Sequence, residues 1–290
     1  TYIDALPLLM NKKDNKIHTN FNQTVTVTGR LSSSKPNLQN IPIRKESGKD
    51  VRRAFVASND HILMSADYSQ IELRLIAELS QEENMLQAFL NYEDIHKSTA
   101  SKVFGVLEQE VTSEMRSHAK MVNFGIIYGV SAFGLSEQTS LTRKESAELI
   151  QMYFITYPQL KKFIDQQINF AQKNGYVRTI LGRKRYLRNI NSRNSFVRGH
   201  DERNAINMPV QGSAADLIKM AMISIQNQFE NNNFLSKMVL QVHDELVFDV
   251  HLSEKQLVEQ IVKNTMENIY KTKVPLIVEI GFGNNWLVAH

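Results

Sequence analysis

The stretch HILMSADYSQIELRLIAEL, residues 61 to 79, contains the two patterns that decide the fold. It opens with the apolar run ILM, which has the length and composition of a buried strand. After a polar link, Ile71, Leu75 and Leu79 recur at the spacing of one helix face. The stretch therefore predicts a strand followed by a helix, with Asp67 at the edge of a sheet. Asp67 either caps that helix, as Asp commonly does, or presents its carboxylate to a ligand.

A second carboxylate occupies a comparable position far along the chain, in MVLQVHDELVFDV, residues 238 to 250. Two apolar runs flank His243, Asp244 and Glu245, so this stretch predicts a β-hairpin with three polar residues in its connection. A solvated surface turn is the alternative, because Asp is a common turn residue. Two Asp side chains at strand ends suit a pair of Mg²⁺ ions, which take oxygen ligands and can hold both oxygens of a phosphoryl displacement.

The composition limits the class of protein. The chain has 290 residues, of which 42% are hydrophobic and 22% charged, as in an ordinary globular protein. No apolar run approaches the roughly 18 residues of a membrane span, and no signal-peptide pattern is present. We therefore expect no membrane partner. The absence of cysteine excludes disulfides, zinc fingers and thiol nucleophiles. It fits an intracellular protein of the cytoplasm, nucleoid or an organelle matrix.

The charge is unevenly distributed, although the net charge is only +4. Between Arg178 and Arg203 there are eight Lys or Arg residues and only two acids, Asp201 and Glu202. Such a run is often a solvated face. It also fits a surface that binds a polyanion, and together with the paired carboxylates it favours nucleic acid.

One predicted helix, EMRSHAKMVNFGIIYG from residue 114 to 129, combines cations with aromatic residues, and Thr112 or Ser113 can cap it. Four residues at four-residue spacing lie along one slowly winding stripe of this helix. The stripe consists of Arg116, Lys120, Phe124 and Tyr128. The cations lie toward the N-terminal end, where the helix dipole favours a triphosphate, and a base could stack on the aromatic rings. The alternative is an amphipathic helix with its aromatic residues in the core.

Other stretches give local predictions. TVTVT, residues 24 to 28, alternates β-branched residues and predicts a strand, and the polar residues 28 to 42 predict a loop. Capping boxes are predicted from Ser80 with Glu83 and from Thr142 with Glu145. NMPVQG, residues 207 to 212, predicts an irregular lead-in to the next helix. Side chains of the 28–42 loop could donate hydrogen bonds along a groove, or could bond to the loop's own backbone. They are Arg30, Asn37, Gln39 and Asn40.

Taken together, five motifs resemble the ordered motif set of the family A DNA polymerases, the bacterial polymerase I type. They are TGRLSSSKPNLQNIP (28–42), DYSQIELR (67–74), RSHAKMVNFGIIYG (116–129), NMPVQGSAAD (207–216) and QVHDELV (241–247). The resemblance runs essentially from Thr1 to Trp286, in the right order. One such motif would be weak, but five in order make a chance match improbable.

The resemblance implies an α+β fold, with an antiparallel palm sheet, packed helices and an inserted, mainly helical fingers subdomain. On this analogy residues 1–90 form the first part of the palm, starting at the end of the thumb. Residues 91–204 form the fingers, and residues 205–290 complete the palm with the hairpin that carries HDE.

The same resemblance assigns roles to single residues. Asp67 and Asp244 would be the metal ligands, helped by the backbone carbonyl of Tyr68, and these two Asp residues with Lys120 would be the catalytic groups. Glu245 would be an accessory acidic residue. The nucleotide-binding set would be Gln70, Glu72, His96, Arg116, Lys120, Phe124 and Tyr128. Within that set, three residues would hold the triphosphate: Arg116, Lys120 and His96. Phe124 would stack on the nucleotide, Tyr128 would lie where the templating base arrives, and Glu72 would exclude a 2′-hydroxyl.

A further set would contact DNA in the minor groove or along the backbone near the primer end. It consists of Arg30, Asn37, Asn40, Arg203, Asn207, Gln211 and His243. In the family position 124 is Phe or Tyr, and Phe implies poor acceptance of dideoxynucleotides.

The activity implied is template-directed addition of deoxynucleotides to a primer 3′-hydroxyl, with release of pyrophosphate, by a monomer. The cofactors would be two Mg²⁺ ions, with Mn²⁺ as a substitute, and the partners primer-template DNA and deoxynucleoside triphosphates. Most of a thumb and any exonuclease segment are missing from this sequence. We therefore expect no proofreading and only weak, distributive extension. Two alternatives stay open: a two-metal nuclease, and a DNA-binding remnant without catalysis.

Overall fold

The computed structural model describes residues 2–42 and 46–290, and the chain forms two compact units. Unit 1 comprises Thr1–Ser69, Ala215–Lys271 and Leu276–His290, and unit 2 comprises Gln70–Ala214 and Thr272–Pro275.

Among the described residues, strands occur in one four-stranded sheet and two short hairpins, all antiparallel. The strands are β1 (Asn20–Asn22), β2 (Ser32–Ser34), β3 (His61–Tyr68), β4 (Tyr176–Arg178), β5 (Lys184–Tyr186), β6 (Lys237–Val242), β7 (Glu245–His251) and β8 (Val278–Gly283). The large sheet has the order β6-β7-β3-β8. The predicted α+β class with an antiparallel sheet is therefore confirmed.

Helices make up most of unit 2, and unit 1 has helices of its own beside the sheet. They are α1 (Tyr2–Ala5), α2 (Glu46–Arg53), α3 (Ile71–Ser80), α4 (Glu83–Leu90), α5 (Ile95–Phe104), α6 (Ser113–Ile127), α7 (Ala132–Ser136), α8 (Arg143–Thr156), α9 (Pro158–Asn174), α10 (Ser195–Asn231), α11 (Lys255–Glu267) and α12 (Trp286–Ala289). In the part of the chain that the structure describes, no helix is both long and apolar enough to cross a membrane.

The core of unit 1 forms around the two central strands. Strands β3 and β7 are mostly buried, and their register places Met64 opposite Phe248 and Ala66 opposite Leu246. Strands buried on both faces are expected to be apolar throughout rather than alternating. The same register pairs Asp67 with Glu245 at one end of the sheet.

The compact units differ in extent from the motif-based division at residues 90 and 204. Helices α3 and α4 belong to unit 2, where α3 packs against α6 and α9, and α4 packs against α5. Glu82 joins α4 to α9, because its buried carboxylate accepts the backbone N–H groups of Asn84, Gln159 and Leu160. The second boundary falls inside α10, between Ala214 and Ala215. The assignment of the units to palm and fingers remains a proposal.

Several helix caps follow the sequence prediction. Thr112 caps α6 by accepting the N–H of Met115, and Thr142 with Glu145 forms a capping box on α8. The capping box predicted from Ser80 is wrong. Ser80 is the last residue of α3, and its hydroxyl donates to the carbonyl of Ile76 at 2.6 Å. The residue that caps α4 is Glu82.

The strand predicted at residues 24–28 is also wrong. These residues lie in the bend that joins β1 to β2, and Val25 and Val27 are exposed. The alternating β-branched pattern is present, but no strand within residues 2–42 and 46–290 pairs with it. The strand of this hairpin instead falls within the predicted loop, at Ser32–Ser34.

The irregular lead-in predicted at residues 207–212 is wrong as well. Helix α10 runs continuously through Pro209. A proline inside a helix removes one N–H donor, but here Met208 and Val210 are fully buried on either side of it. The hydroxyl of Ser213 also bonds to the Pro209 carbonyl. Burial of the flanking apolar residues offsets the missing backbone bond.

Candidate active site

The two carboxylates that lie far apart in sequence meet at one end of the unit 1 sheet. Asp67 near the end of β3 is paired in register with Glu245, the first residue of β7, and the Tyr68 N–H donates to the carbonyl of Asp244 at 3.3 Å. The alternative role of Asp67 as a helix cap is wrong, because the N-cap position of α3 is Gln70.

The environment of Asp67 is strongly unfavourable for its negative charge. Burial, followed by the neighbouring charges of Asp244 and Glu245, raises the pKa of Asp67 to about 7, against a smaller opposing effect of His290. Three acidic groups crowded together in this way favour a bound cation. Carboxylate oxygens are the donors that Mg²⁺ prefers.

Few side chains at this end of the sheet could coordinate a metal ion. Among residues 2–42 and 46–290, no group of three or more His, Cys, Asp or Glu side chains is arranged to hold a metal ion. A metal here would therefore depend on Asp67, Asp244 and backbone carbonyls, with the remaining positions left to water or substrate oxygens. Mg²⁺ commonly binds in this way, through one or two carboxylates plus substrate phosphates.

The charge on Asp67 should lower the stability of the metal-free chain at alkaline pH. Its folded-state pKa of about 7 lies above the roughly 3.9 of an unfolded chain, so stability falls as the pH rises from about 4 through about 7. Asp67→Asn removes this cost and should raise Tm in EDTA at pH 8, with a smaller rise at pH 5. Calorimetry at both pH values measures this, with the exposed Asp60→Asn as control. A lower Tm for Asp67→Asn at pH 8 would contradict the electrostatic account.

Glu245 is fixed by hydrogen bonds on both carboxylate oxygens. It is 3% exposed, and its Oε1 accepts from the Ser65 hydroxyl at 2.7 Å and from the Trp286 indole at 3.0 Å. The ring of His290 lies 3.4 Å from Oε2. Burial opposes ionisation, but the bonds from His290, Ser65 and Trp286 hold the pKa of Glu245 below its usual value. Glu245 is therefore a stationary negative charge opposite Asp67.

Arg52 joins this network and was not predicted from the sequence. Its guanidinium lies 4.2 Å from the centre of the Trp286 ring, and burial lowers the pKa of the side chain. Arg52 is 5% exposed, and among the described residues its Nε and Nη1 have no hydrogen-bond partner. The sequence gives little indication of this role, because a basic residue in a short, polar helix such as α2 is expected to be exposed to solvent.

A cleft of about 600 Å³ in unit 1 collects these groups. Besides the three acidic residues, its polar lining is Gln39, Asn40, Arg52, His243 and His290. A larger unit 1 cleft, of about 640 Å³, is mainly apolar and contains neither Asp67 nor Asp244.

The loop residues predicted to contact DNA divide into two groups. Arg30 lies 3.9 Å from Asp244, and Asn40 lines the cleft. The Asn37 side chain instead accepts the N–H of Gln39 at 3.0 Å, which is the local backbone bonding described as an alternative. His243 adopts a left-handed backbone conformation in the β6–β7 turn, and burial with the nearby Arg30 and Arg52 lowers its pKa.

In unit 2 the cationic and aromatic stripe of α6 lies on the outer face of that helix. Arg116 and Lys120 are exposed, Phe124 is half-buried, and Tyr128 is 45% exposed. The buried face is a different one: His118, Ala119, Val122, Asn123, Ile126 and Ile127. The alternative that places the aromatic residues in the core is therefore wrong.

Arg116 and Tyr128 make specific contacts at the two ends of the stripe. The Nε of Arg116 donates to Asp94 at 2.7 Å, and Asp94 also caps α5. Burial raises the pKa of Asp94, but this bond and the capping bonds outweigh it and lower the pKa overall. The Tyr128 hydroxyl donates to the buried carboxylate of Glu72 at 2.8 Å.

His96 is buried against the same helix. It is 3% exposed, its ring centre lies 5.6 Å from that of Phe124, and its Nδ1 lies 3.1 Å from the Asn123 amide nitrogen. Burial lowers the pKa of His96 to about 4. The predicted contact with a triphosphate therefore has to use a neutral ring.

Three further predicted DNA contacts lie on α10 in unit 2. Arg203, Asn207 and Gln211 are four residues apart and share one helix face. The amide nitrogen of Asn207 is buried and has no partner among the described residues. Gly129, with φ of +66°, packs so closely that an added Cβ would lie 2.7 Å from Arg203 Cγ.

The basic run forms a surface with exposed aromatic rings. The β4–β5 hairpin pairs Lys184 with the Tyr176 ring at 4.6 Å, and Tyr186 and Phe196 are exposed. A basic stretch that also carries exposed aromatic rings suits single-stranded nucleic acid. A role in binding a polyanion stays a prediction.

Comparisons with known proteins show the family of the chain. The model of DNA polymerase family A matches residues 1–288. DNA polymerase I of Caldicellulosiruptor bescii is 50% identical over 286 residues, which are 99% of this chain and 34% of that protein. The thermostable DNA polymerase I of Thermus aquaticus is 45% identical over 289 residues, 100% of this chain and 34% of that one.

A solved structure is also similar. It is the POL domain of Pol1 from M. smegmatis in complex with DNA primer-template and dNTP, at a TM-score of 0.94 and 44% identity, over 99% of this chain and 50% of that one. The chain spans about a third of the length of the curated relatives it matches. With the family model matching nearly every residue, the chain belongs to DNA polymerase family A.

Proposed function

We propose that the chain adds deoxynucleotides to a primer 3′-hydroxyl under the direction of a template strand, with release of pyrophosphate. The observation that carries this proposal is the meeting of Asp67 and Asp244 at adjacent strand ends. The outward stripe on α6 supports it, as does similarity to a polymerase domain described with primer-template and dNTP. In this proposal the chain acts as a monomer.

The residues present fit a divalent metal ion. Asp67, Asp244 and the carbonyl of Tyr68 would hold Mg²⁺, or Mn²⁺ in its place. When bound, two such ions lower the pKa of the attacking 3′-hydroxyl and neutralise charge on the departing pyrophosphate. Glu245 contributes a fixed negative charge at the same strand ends.

The stripe of unit 2 binds the nucleotide. Arg116 and Lys120 contact the triphosphate through charge-assisted hydrogen bonds, and Phe124 stacks on the base. Lys120 donates a proton to the leaving pyrophosphate, and Arg116 offsets its charge. Gln70 contributes to the same nucleotide site.

The remaining residues bind DNA or select the sugar. Tyr128 occupies the position of the arriving template base and is held by Glu72, which excludes a 2′-hydroxyl. The residues that contact the minor groove or the DNA backbone are Arg30, Asn40 and His243 in unit 1, and Arg203, Asn207 and Gln211 in unit 2. Asn37, whose side chain bonds within its own loop, takes a lesser part.

Primer extension in Mg²⁺ tests the proposal. A labelled primer on a longer template should lengthen when the four deoxynucleoside triphosphates are added, and EDTA should stop this. Without nucleotides the primer should keep its length. Shortening of the primer would support a nuclease instead. Salt-sensitive binding without extension at high protein concentration would support a DNA-binding remnant.

Glu72→Ala should relax sugar selection. We expect ribonucleotide incorporation relative to deoxynucleotide incorporation to rise by at least about tenfold, because loss of a buried contact that rejects a substituent is worth this much or more. The ratio of kcat/KM values for matched ribo- and deoxynucleotides measures it.

Tyr128→Phe is the matched control for this change. It removes the hydrogen bond to Glu72 but leaves the carboxylate in place, so the sugar preference should persist. If both variants relax selection equally, the hydrogen bond and not the carboxylate controls the sugar.

A further inference from the structure

Four polar side chains form a connected line of hydrogen bonds in the interior of unit 2. They are His96, Thr99, Asn123 and Tyr157. Thr99, Asn123 and Tyr157 are fully buried, and His96 nearly so. Because solvent does not reach Thr99, Asn123 and Tyr157, the donors of these three side chains must find acceptors within the protein. The assignment of every hydrogen can therefore be worked out.

The hydroxyl of Thr99 has only one hydrogen. Its oxygen lies 2.7 Å from the carbonyl of Ile95, which can only accept, so the hydrogen is used there. Burial raises the pKa of Tyr157 to about 12, so the phenol stays protonated and donates to Thr99 across 2.9 Å. Thr99 therefore has no hydrogen left for Asn123 and can only accept from it.

This fixes the orientation of the Asn123 amide. Its nitrogen lies 3.1 Å from the Thr99 hydroxyl oxygen and 3.1 Å from His96 Nδ1. The amide nitrogen has two hydrogens, one for each of these acceptors. The amide oxygen is the more distant atom, 3.3 Å from the Thr99 hydroxyl. A reversed amide would bring this oxygen to 3.1 Å from the lone pairs of Thr99 and move the donor out to 3.3 Å. Nδ1 of His96 therefore accepts, and in a neutral ring the hydrogen must be on Nε2.

Burial keeps the ring neutral. Together with smaller effects of Arg116 and Lys120, and against the opposing effect of Asp94, it lowers the pKa of His96 to about 4. At the pH of ordinary assays the residue carries no charge.

We infer that Asn123, oriented by Thr99, is a positioning residue that fixes His96 as the neutral tautomer with its hydrogen on Nε2. His96 then offers a triphosphate oxygen a hydrogen-bond donor, while the positive charge comes from Arg116 and Lys120. The identity of this ligand rests on the proposed function, but the tautomer does not.

Nitrogen-15 NMR of the histidine-labelled chain tests the tautomer directly. Between pH 6 and 9 the His96 ring should show a protonated Nε2 and an unprotonated Nδ1. Asn123→Asp replaces the donor with a carboxylate that demands a hydrogen on Nδ1, so the ring should become doubly protonated at pH 6. Thr99→Val, of similar size, frees the amide to turn, and an Nδ1–H form should appear.

Tyr157→Phe is the matched control. It removes a buried hydrogen bond from the same network, yet Thr99 still accepts from Asn123, so the tautomer should not change. A wild-type ring protonated at Nδ1, or a tautomer that is unaltered in both Asn123→Asp and Thr99→Val, would overturn the inference. If one of these variants fails to fold, the wild-type spectrum and the other variant still decide.

Steady-state kinetics test the ligand. Thr99→Val should raise KM for the deoxynucleotide about threefold or more, with kcat within about twofold, because a donor to a charged group is lost in part of the molecules. Tyr157→Phe should change neither. A changed tautomer with unchanged KM would overturn the triphosphate contact. No extension by a wild-type chain that shows the expected tautomer would refute the proposed function and leave the positioning role standing.

Discussion

Replacing Asp244 with Asn should reduce primer extension by at least about 1,000-fold, on the scale of losses seen when a central catalytic group is removed. Asn preserves the size of the side chain and suits the β6–β7 turn. It removes one of the two carboxylates that would hold the metal ions, and with it the charge that a cation requires. Affinity for primer-template should change little, because backbone contacts dominate DNA binding.

Single-turnover extension and a binding titration on the same preparation separate these effects. Asp60→Asn is the matched control, since Asp60 is an exposed residue next to the other end of β3 with positive φ, which Asn tolerates. It should extend primers at the wild-type rate. Turnover by Asp244→Asn within tenfold of wild type would remove Asp244 from the catalytic set.

Lys120→Ala should impair both the binding of the nucleotide and the chemical step. We expect KM to rise and kcat to fall by about tenfold or more each, since charge-assisted hydrogen bonds to phosphate and proton donation each contribute on this scale. The fold should not suffer, because Lys120 is exposed on α6 and outside its buried face.

Lys144→Ala provides the comparison in the same unit. Lys144 is a highly exposed lysine whose contact with Glu148 is a surface ion pair at 3.9 Å, worth little. Its kinetic constants should equal those of the wild type. If Lys120→Ala matches this control in both KM and kcat, the stripe does not bind the triphosphate through Lys120.

Local patterns were sufficient for the elements that carry the site. The change from an apolar run to helical spacing predicted β3 and α3, and two apolar runs around three polar residues predicted the β6–β7 hairpin. The caps of α6 and α8 could be predicted because a cap and its partner lie within four residues of each other.

Patterns failed where a distant partner decides the outcome. Residues 24–28 have the composition of a strand, but a strand needs a neighbour to pair with, and no described strand pairs with them. Pro209 reads as a break, whereas the burial of Met208 and Val210 within unit 2 keeps α10 continuous. Neither fact can be derived from a window of neighbouring residues.

In the candidate site, too, some residues could be predicted from local patterns and others depend on distant partners. Asp67, Asp244 and the stripe of α6 could be proposed because their residue types suit the chemistry. The residues that hold the site in place could not be predicted from the sequence. Trp286 and Glu245 are 41 residues apart, and Asn123 and His96 are 27 residues apart. Polar residues such as these look ordinary in sequence, and only their burial together distinguishes them.

Single-nucleotide addition tests the central claim most directly. A primed template is incubated with Mg²⁺ and one deoxynucleoside triphosphate at a time, and both primer length and pyrophosphate are measured. We predict that only the nucleotide complementary to the next template base extends the primer, by one residue, with one pyrophosphate released per primer. Extension that ignores the template, or no addition at protein concentrations that saturate DNA binding, would contradict it.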